Sequence, residues 1–245
     1  MRIELQQLTV ERQGRVILDA VDLVFPAGST TVVMGHSGAG LSSLLKVAAG
    51  LIAPERGRVL QGGCDLASLA GQELQRQQTR TGFVFQDAAL WANTNLLTNL
   101  DLPLQARNPD LDAVDRRQRI DSVLNSTGFR ADLKQRPATL SLGQQKVVSF
   151  LRAVIPEPEA LFLDEAMASL DRHWRQEMLR VLGELRERQV TLVAVSHDAE
   201  LARTLADRLV VLHAGRVLAA GTVAEVQSVP DPLIREIVHG ASAAS

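Results

Sequence analysis

Apolar and polar positions alternate over residues 2–10, where Ile3, Leu5, Leu8 and Val10 carry the spacing of a half-buried β-strand. A Gln13-Gly14 turn leads to Val16-Ile17-Leu18, and Val21-Asp22-Leu23-Val24-Phe25 predicts a further strand. Pro26-Ala27-Gly28 turns the chain into Thr30-Thr31-Val32-Val33-Met34, a continuous apolar run of the kind that a sheet covered on both faces requires. The pattern then becomes helical at Leu44-Leu45-Lys46-Val47-Ala48-Ala49 and ends near Gly50. Pro54 and Gly57 mark a loop, and Arg58-Val59-Leu60 a short strand ending at Gly62-Gly63. Residues 66–80 predict a polar helix, and Gly82-Phe83-Val84-Phe85 a buried strand ended by Gln86.

From about 87 to 156 the strand-like runs disappear. Val114, Ile120, Val123 and Leu124 give residues 112–127 an amphipathic helical pattern. A second helix over 143–155 is stopped by Pro156 and Pro158. Ala160-Leu161-Phe162-Leu163-Asp164 resumes the strands, followed by a charged helix at 172–188, a strand at 190–195, a helix at 198–206 and a strand at 209–212. Strands alternating with helices predict an α/β core with a mostly parallel sheet. The expected organisation is one domain over 1–240, with the core at 1–86 and 157–229 and a helical lobe at 87–156. Residues 230–245 are expected to add a C-terminal helix and a disordered tail. Leu233, Ile234, Ile237 and Val238 share one apolar face of that helix, which is expected to pack at a subunit interface.

Composition narrows the classes. The 26 Lys+Arg against 28 Asp+Glu leave no basic footprint for nucleic acid. A single cysteine, Cys64, rules out an internal disulfide and suits a reducing compartment. Met1-Arg2-Ile3-Glu4 lacks the apolar core of a secretion signal, and no apolar run approaches the 18 or so residues of a spanning helix. The expectation is a soluble chain that other subunits hold at any membrane it serves.

The chemistry centres on Gly35-His36-Ser37-Gly38-Ala39-Gly40-Leu41-Ser42-Ser43, set between a strand and a helix. That is the context of a phosphate-binding P-loop, in which glycines let backbone N–H groups converge on one anion and the helix adds its positive end. Ser42 stands where a hydroxyl would ligate Mg²⁺, but Leu41 stands where the pattern asks for lysine. Asp164 ends a strand and suits a contact to Mg²⁺, direct or through water; the adjacent Glu165 suits orienting or deprotonating an attacking water. Gln86 and His197 lie at two further strand ends, placed for the metal or water and for the γ-phosphate.

The order of these elements, with Leu140-Ser141-Leu142-Gly143-Gln144-Gln145 and Ala168-Ser169-Leu170-Asp171 between them, resembles the nucleotide-binding subunit of ABC transporters over nearly the whole chain. The resemblance implies a P-loop NTPase (RecA-like) core with an antiparallel β edge and an inserted helical lobe. It implies that Gly35, Ser37, Gly38, Ala39, Gly40, Leu41, Ser42 and Ser43 form the Walker A loop, and that Gln86 belongs to the Q-loop. Ser141, Gly143 and Gln144 then form the signature, Asp164 is the Walker B acid, Glu165 the catalytic base, Asp171 part of the D-loop and His197 the switch histidine. Metal contacts fall to Ser42, Gln86 and Asp164, and ATP and Mg²⁺ are the implied cofactors. With no tyrosine in the chain, Arg12 aligns with the adenine-stacking position.

Within the family, Phe85-Gln86-Asp87-Ala88-Ala89-Leu90, Asn99-Leu100, Leu102-Pro103-Leu104 and Pro230-Asp231-Pro232-Leu233-Ile234-Arg235 look like Mla-type, MCE-associated lipid-transport ATPases. The implied assembly has transmembrane permease subunits, a second ATPase subunit (a homodimer before a heterodimer) and an MCE-domain lipid-binding protein, at the cytoplasmic face of the inner membrane. Besides Leu41, the sequence departs from the pattern at Leu142, in place of a signature glycine, and at Ala166-Met167 after the Walker B acids. Two functions follow: an ATPase energising lipid transport, with reduced turnover, or a subunit that binds nucleotide for a structural or regulatory role.

Overall fold

A computed structural model describes residues 1–196 and 199–240. The chain opens with β1 (Ile3–Arg12) and β2 (Arg15–Phe25), an antiparallel hairpin whose two turn residues, Gln13 and Gly14, both have positive φ (50° and 74°). Two such residues give the turn a twist that matches that of the flanking strands. The two runs read as separate strands on either side of Ala20 are one strand with an irregularity there, where Ala20 has φ 46°. Next come β3 (Thr30–Met34), α1 (Leu41–Ala48), β4 (Arg56–Gln61) and β5 (Cys64–Asp65). The polar helix α2 (Gly71–Thr79) starts later than its composition suggests, after a single 3₁₀ turn at Leu66–Ser68. Strand β6 (Thr81–Val84) precedes the helical lobe of α3 (Leu96–Arg107), α4 (Ala113–Ser126) and α5 (Leu142–Val154). Then follow β7 (Ala160–Asp164), α6 (Arg172–Glu187), β8 (Thr191–Val195), α7 (Ala199–Leu205), β9 (Arg208–His213), β10 (Arg216–Thr222), α8 (Val223–Ser228) and α9 (Pro232–Gly240).

The large sheet has the order β10-β9-β3-β8-β7-β6 and is parallel except for β10. A smaller antiparallel sheet, β2-β1-β4-β5, forms the expected β edge. Alternate residues of the parallel strands feed two cores. Val32, Leu161, Leu163, Leu192 and Ala194 join the core that contains the helical lobe. Val33, Ala160, Phe162, Val193 and Val195 join α1 and the antiparallel sheet on the other face. Burial on both faces is why these strands read as continuous apolar runs.

Helix α9 corrects one expectation. Its apolar face, with Ile234, Ile237 and Val238, is buried in the chain's own core, and Leu233 packs against it. The face is covered without a second subunit, by contacts with α8 and β9. Residues 241–245, expected to be a disordered tail, lie outside the described residues.

Candidate active site

Strand β3 delivers the chain to Gly35 at the C-terminal edge of the sheet. A Cβ on Gly35 would stand 2.3 Å from the Leu212 carbonyl oxygen, so the loop leaves the sheet only through a glycine. The Ala39 N–H donates to the His36 carbonyl (3.0 Å), and Gly38 and Gly40 take φ of 82° and 99°. Gly40 is the N-cap of α1 and offers no side-chain acceptor to the first turn. The N–H groups of Leu41, Ser42 and Ser43 therefore belong to an uncapped helix N-terminus, with partial positive charge and room for an anion. Gly40 also presses on the hairpin: a Cβ there would lie 2.8 Å from the Ile17 carbonyl oxygen. Arg12 stands exposed near the tip of that hairpin, opposite Arg15.

Three chain segments meet beside the loop. The Ser42 hydroxyl donates to Asp164 Oδ1 at 2.8 Å. Asp164 is 2% exposed at the C-terminal end of β7. Gln86 follows β6, whose Val84 is in register with Leu163 of β7. Ser42, Gln86 and Asp164 line one cleft of about 410 Å³ with Lys46, Phe85, Asp87 and Ala89. The structure thus brings together the three residues expected to serve a metal.

Glu165 follows in a left-handed conformation (φ 47°), its N–H bound to the Val195 carbonyl (3.0 Å) and its carbonyl accepting from the Ala168 N–H (3.1 Å). A non-glycine residue held there costs on the order of 1–3 kcal/mol, a strain that clusters at functional sites. The Lys146 ammonium donates to the Ala168 carbonyl (2.6 Å) and ties α5 to the same turn. Burial pushes the Lys146 pKa down, and the Glu165 carboxylate acts in the opposite sense. His197 lies outside the described residues; its neighbour Ser196 is buried just beyond β8.

The signature residues stand apart from this cleft, at the start of α5. Ser141 and Gln144 cap each other: the Ser141 hydroxyl accepts from the Gln144 N–H (3.2 Å), and Gln144 Oε1 accepts from the Ser141 N–H (3.0 Å). Leu142 is 78% exposed, and a Cβ on Gly143 would meet only Leu170, at 3.9 Å. Asp171 caps α6 by accepting from the Trp174 N–H (2.9 Å). Ser37 is exposed on the loop and Ser43 half-buried at the start of α1.

Arg152 lies within the largely apolar stretch 147–155, at the end of α5. It is 8% exposed and donates to the carbonyls of Ala88 (3.2 Å) and Ala89 (2.8 Å), two residues with positive φ just after Gln86. Burial pushes its pKa below the ordinary arginine value. Lys46 was read only as part of a helix pattern. A helical wheel would have found it, since it lies four residues after Ser42 and shares its face.

The donor set fits Mg²⁺. A hydroxyl, a carboxylate and an amide are hard oxygen donors, the kind this ion prefers. Among the described residues no cluster of three or more His, Cys, Asp or Glu could hold a metal by itself. The three oxygen donors of Ser42, Gln86 and Asp164 would leave further positions on such an ion for water or substrate phosphate.

A glycine loop on a parallel sheet, an uncapped helix behind it and a buried strand-end acid bonded to the loop's serine define a P-loop NTPase. Residues 18–168 match the family described as ABC transporter, and the chain belongs to it. Over 222 residues the chain is 39% identical to the molybdenum import ATP-binding protein ModC of Brucella melitensis, covering 89% of this chain and 60% of that protein. It is 32% identical over 222 residues to the methionine import ATP-binding protein MetN of Corynebacterium efficiens, covering 90% of this chain and 61% of that one. The chain thus spans about 60% of the length of these relatives. A dimeric structure of the ATP-binding cassette MJ0796 bound to ADP and Pi superposes with a TM-score of 0.83 at 28% identity, over 90% of this chain and 98% of that one. An ATP-binding subunit of an ABC transporter shares the fold with a TM-score of 0.86 over 99% of this chain and 98% of that one, at 23% identity.

These relatives do not support the Mla-type assignment, a lipid cargo or an MCE-domain partner: they carry the names of molybdenum and methionine import proteins. The residues that suggested the subgroup have local structural roles. Ala88 and Ala89 supply the carbonyls that Arg152 holds. Asn99 is fully buried and shapes the preceding loop, accepting from the Trp91 N–H (2.9 Å) and donating to Thr94 Oγ1 (2.9 Å) and the Asn95 carbonyl (3.0 Å). Among the described residues no helix is long and apolar enough to cross a membrane.

Proposed function

We propose that this chain is the ATP-binding subunit of an ABC importer and hydrolyses Mg-ATP slowly. The observation that carries the reading is the 2.8 Å hydrogen bond from Ser42 to the buried Asp164, in a cleft shared with Gln86. The phosphates sit on the uncapped N-terminus of α1 and the P-loop amides, and Arg12 stacks on the base. Ser42, Gln86 and Asp164 would hold Mg²⁺, whose positive charge would offset the negative charge of the phosphate oxygens. Water attacks the γ-phosphorus, the bond to the β–γ bridging oxygen breaks, and the water's proton passes to the Glu165 carboxylate. The γ-phosphate role expected of His197 falls on a residue outside the described ones. Without the loop lysine, turnover is slower by about 10²–10³.

A second copy of the chain completes the site in this proposal. Ser141, Gly143 and Gln144 lie at an α5 N-terminus open to solvent, with the neighbouring Leu142 78% exposed. The dimer recorded for MJ0796 supports a facing copy that presents this stretch to phosphate. The two curated relatives carry the names of different solutes, which supports assigning solute choice to membrane permease subunits, at whose cytoplasmic side the cassette works.

The purified chain is expected to bind ATP saturably with Mg²⁺ and to release phosphate slowly. Glu165→Gln should remove phosphate release and leave binding intact. Failure of the wild-type chain to bind Mg-ATP, or undiminished hydrolysis by Glu165→Gln, overturns the reading.

A further inference from the structure

Leu41 is 8% exposed and packs in the apolar core with Leu18, Leu44 and Leu45. No residue from Gly35 to Ser43 is a lysine or arginine. The one titratable side chain in that stretch is His36, and its Nε2 lies 3.8 Å from the Glu236 carboxylate of α9. A bound triphosphate would thus meet no fixed cationic side chain from the loop itself.

We propose that Lys46 supplies that charge as a phosphate ligand, in place of the lysine missing at position 41. The inference rests on the nucleotide reading above. Lys46 lies one helical turn beyond Ser42 and lines the same cleft as Ser42, Gln86 and Asp164. Helical side chains lean back over the turn that precedes them, so a lysine here serves the turn that carries Ser42. Its ammonium has no hydrogen bond or ion pair among the described residues, although Asp87 and Asp164 line the cleft with it. Asp164 is engaged by Ser42 instead. A lysine that shares a cleft with two acidic residues and, among the described residues, pairs with neither is available to an incoming anion. Its flexible four-carbon stem carries a compact charge that follows a phosphate oxygen without a fixed fork geometry.

The test is titration of Mg-ATP, and separately of adenosine, into the full chain and into Lys46→Met, Lys46→Arg and Asp164→Asn, with the melting temperature of each. Loss of a charge-assisted contact predicts that Lys46→Met weakens Mg-ATP binding by about ten- to hundredfold. Adenosine binding and melting temperature should stay unchanged, and Lys46→Arg should keep most of the affinity. If Lys46→Met binds Mg-ATP as tightly as wild type while Asp164→Asn loses it, the nucleotide site stands and the role of Lys46 falls. Equal weakening by Lys46→Met and Lys46→Arg also overturns the charge argument. If the wild-type chain binds no Mg-ATP, the nucleotide reading and this inference fall together.

Discussion

The Arg152 guanidinium lies over the ring of Trp91, 5.2 Å from its centroid, and holds the carbonyls of Ala88 and Ala89 on its other edges. Among the described residues Arg152 has no carboxylate partner, so it needs such acceptors to compensate its desolvation. Replacing Arg152 with Met should destabilise the fold by about 2–4 kcal/mol, since two hydrogen bonds to a charged group and a cation–π contact are lost. Trp91 is 46% exposed, so Trp91→Ala should cost only about 1 kcal/mol. Urea unfolding of the two single variants and the double variant measures the coupling between them.

Two loop glycines should respond differently to alanine. At Gly35 the added Cβ would stand 2.3 Å from a backbone oxygen that cannot yield without moving β9. Gly35→Ala should therefore cost at least about 3 kcal/mol, at the upper end of overpacking penalties. At Gly38 nothing lies within 4 Å, and only the φ of 82° opposes the change, at about 1 kcal/mol. Thermal melts rank the two, and a larger loss at Gly38 would contradict this account of the loop.

The C-terminal helix should matter to the isolated chain. Ile237 is 6% exposed against the chain's own core, so Ile237→Ala should cost about 2–4 kcal/mol in unfolding free energy at any protein concentration. A loss that appeared only under conditions favouring association would point back to an intersubunit role.

Glu159 is held below the ordinary carboxylate pKa by its hydrogen bond from Arg80, with Arg107 adding to the effect. A depressed carboxylate stabilises the folded state above its unfolded pKa, about 4.3, and loses that contribution as the pH falls through the folded value. The pair is more than a third exposed, so solvent screening limits the effect to a fraction of a kcal/mol. Urea midpoints followed from neutral pH to about pH 3 should fall less steeply in Glu159→Gln than in wild type.

Leu41→Lys should raise the rate of phosphate release, by up to about 10²–10³ where Lys46 supplies ground-state binding but not the transition-state contact. An unchanged rate, with Mg-ATP still bound, would move attention to Leu142, and Leu142→Gly in the same background would then be the measurement to make.

Much of this architecture is legible from residue patterns because parallel strands buried on both faces must be apolar throughout. Ala160–Asp164 could be read as a strand ending in an acid for that reason alone. Helix α3 was less legible, because it carries Pro103 in its interior and has apolar residues around much of its circumference. The docking of α9 was misread because an apolar face shows that it needs cover and not which surface supplies it. The subgroup found no support among the relatives, and residues with local structural duties, Asn99 among them, resemble a functional signature when seen as letters. Arg152 gained its meaning only from neighbours distant in sequence, Ala88 and Ala89.

Helix α5 ends in two different kinds of contact, the open turn at Ser141–Gly143 and, eleven residues on from Ser141, the grip of Arg152 on Ala88 and Ala89. A helix rises about 1.5 Å per residue, so these ends are about 16 Å apart on one stiff rod. One unbroken helix therefore joins the solvent-facing signature turn to the two backbone carbonyls that follow Gln86, so the two places share a single rigid support.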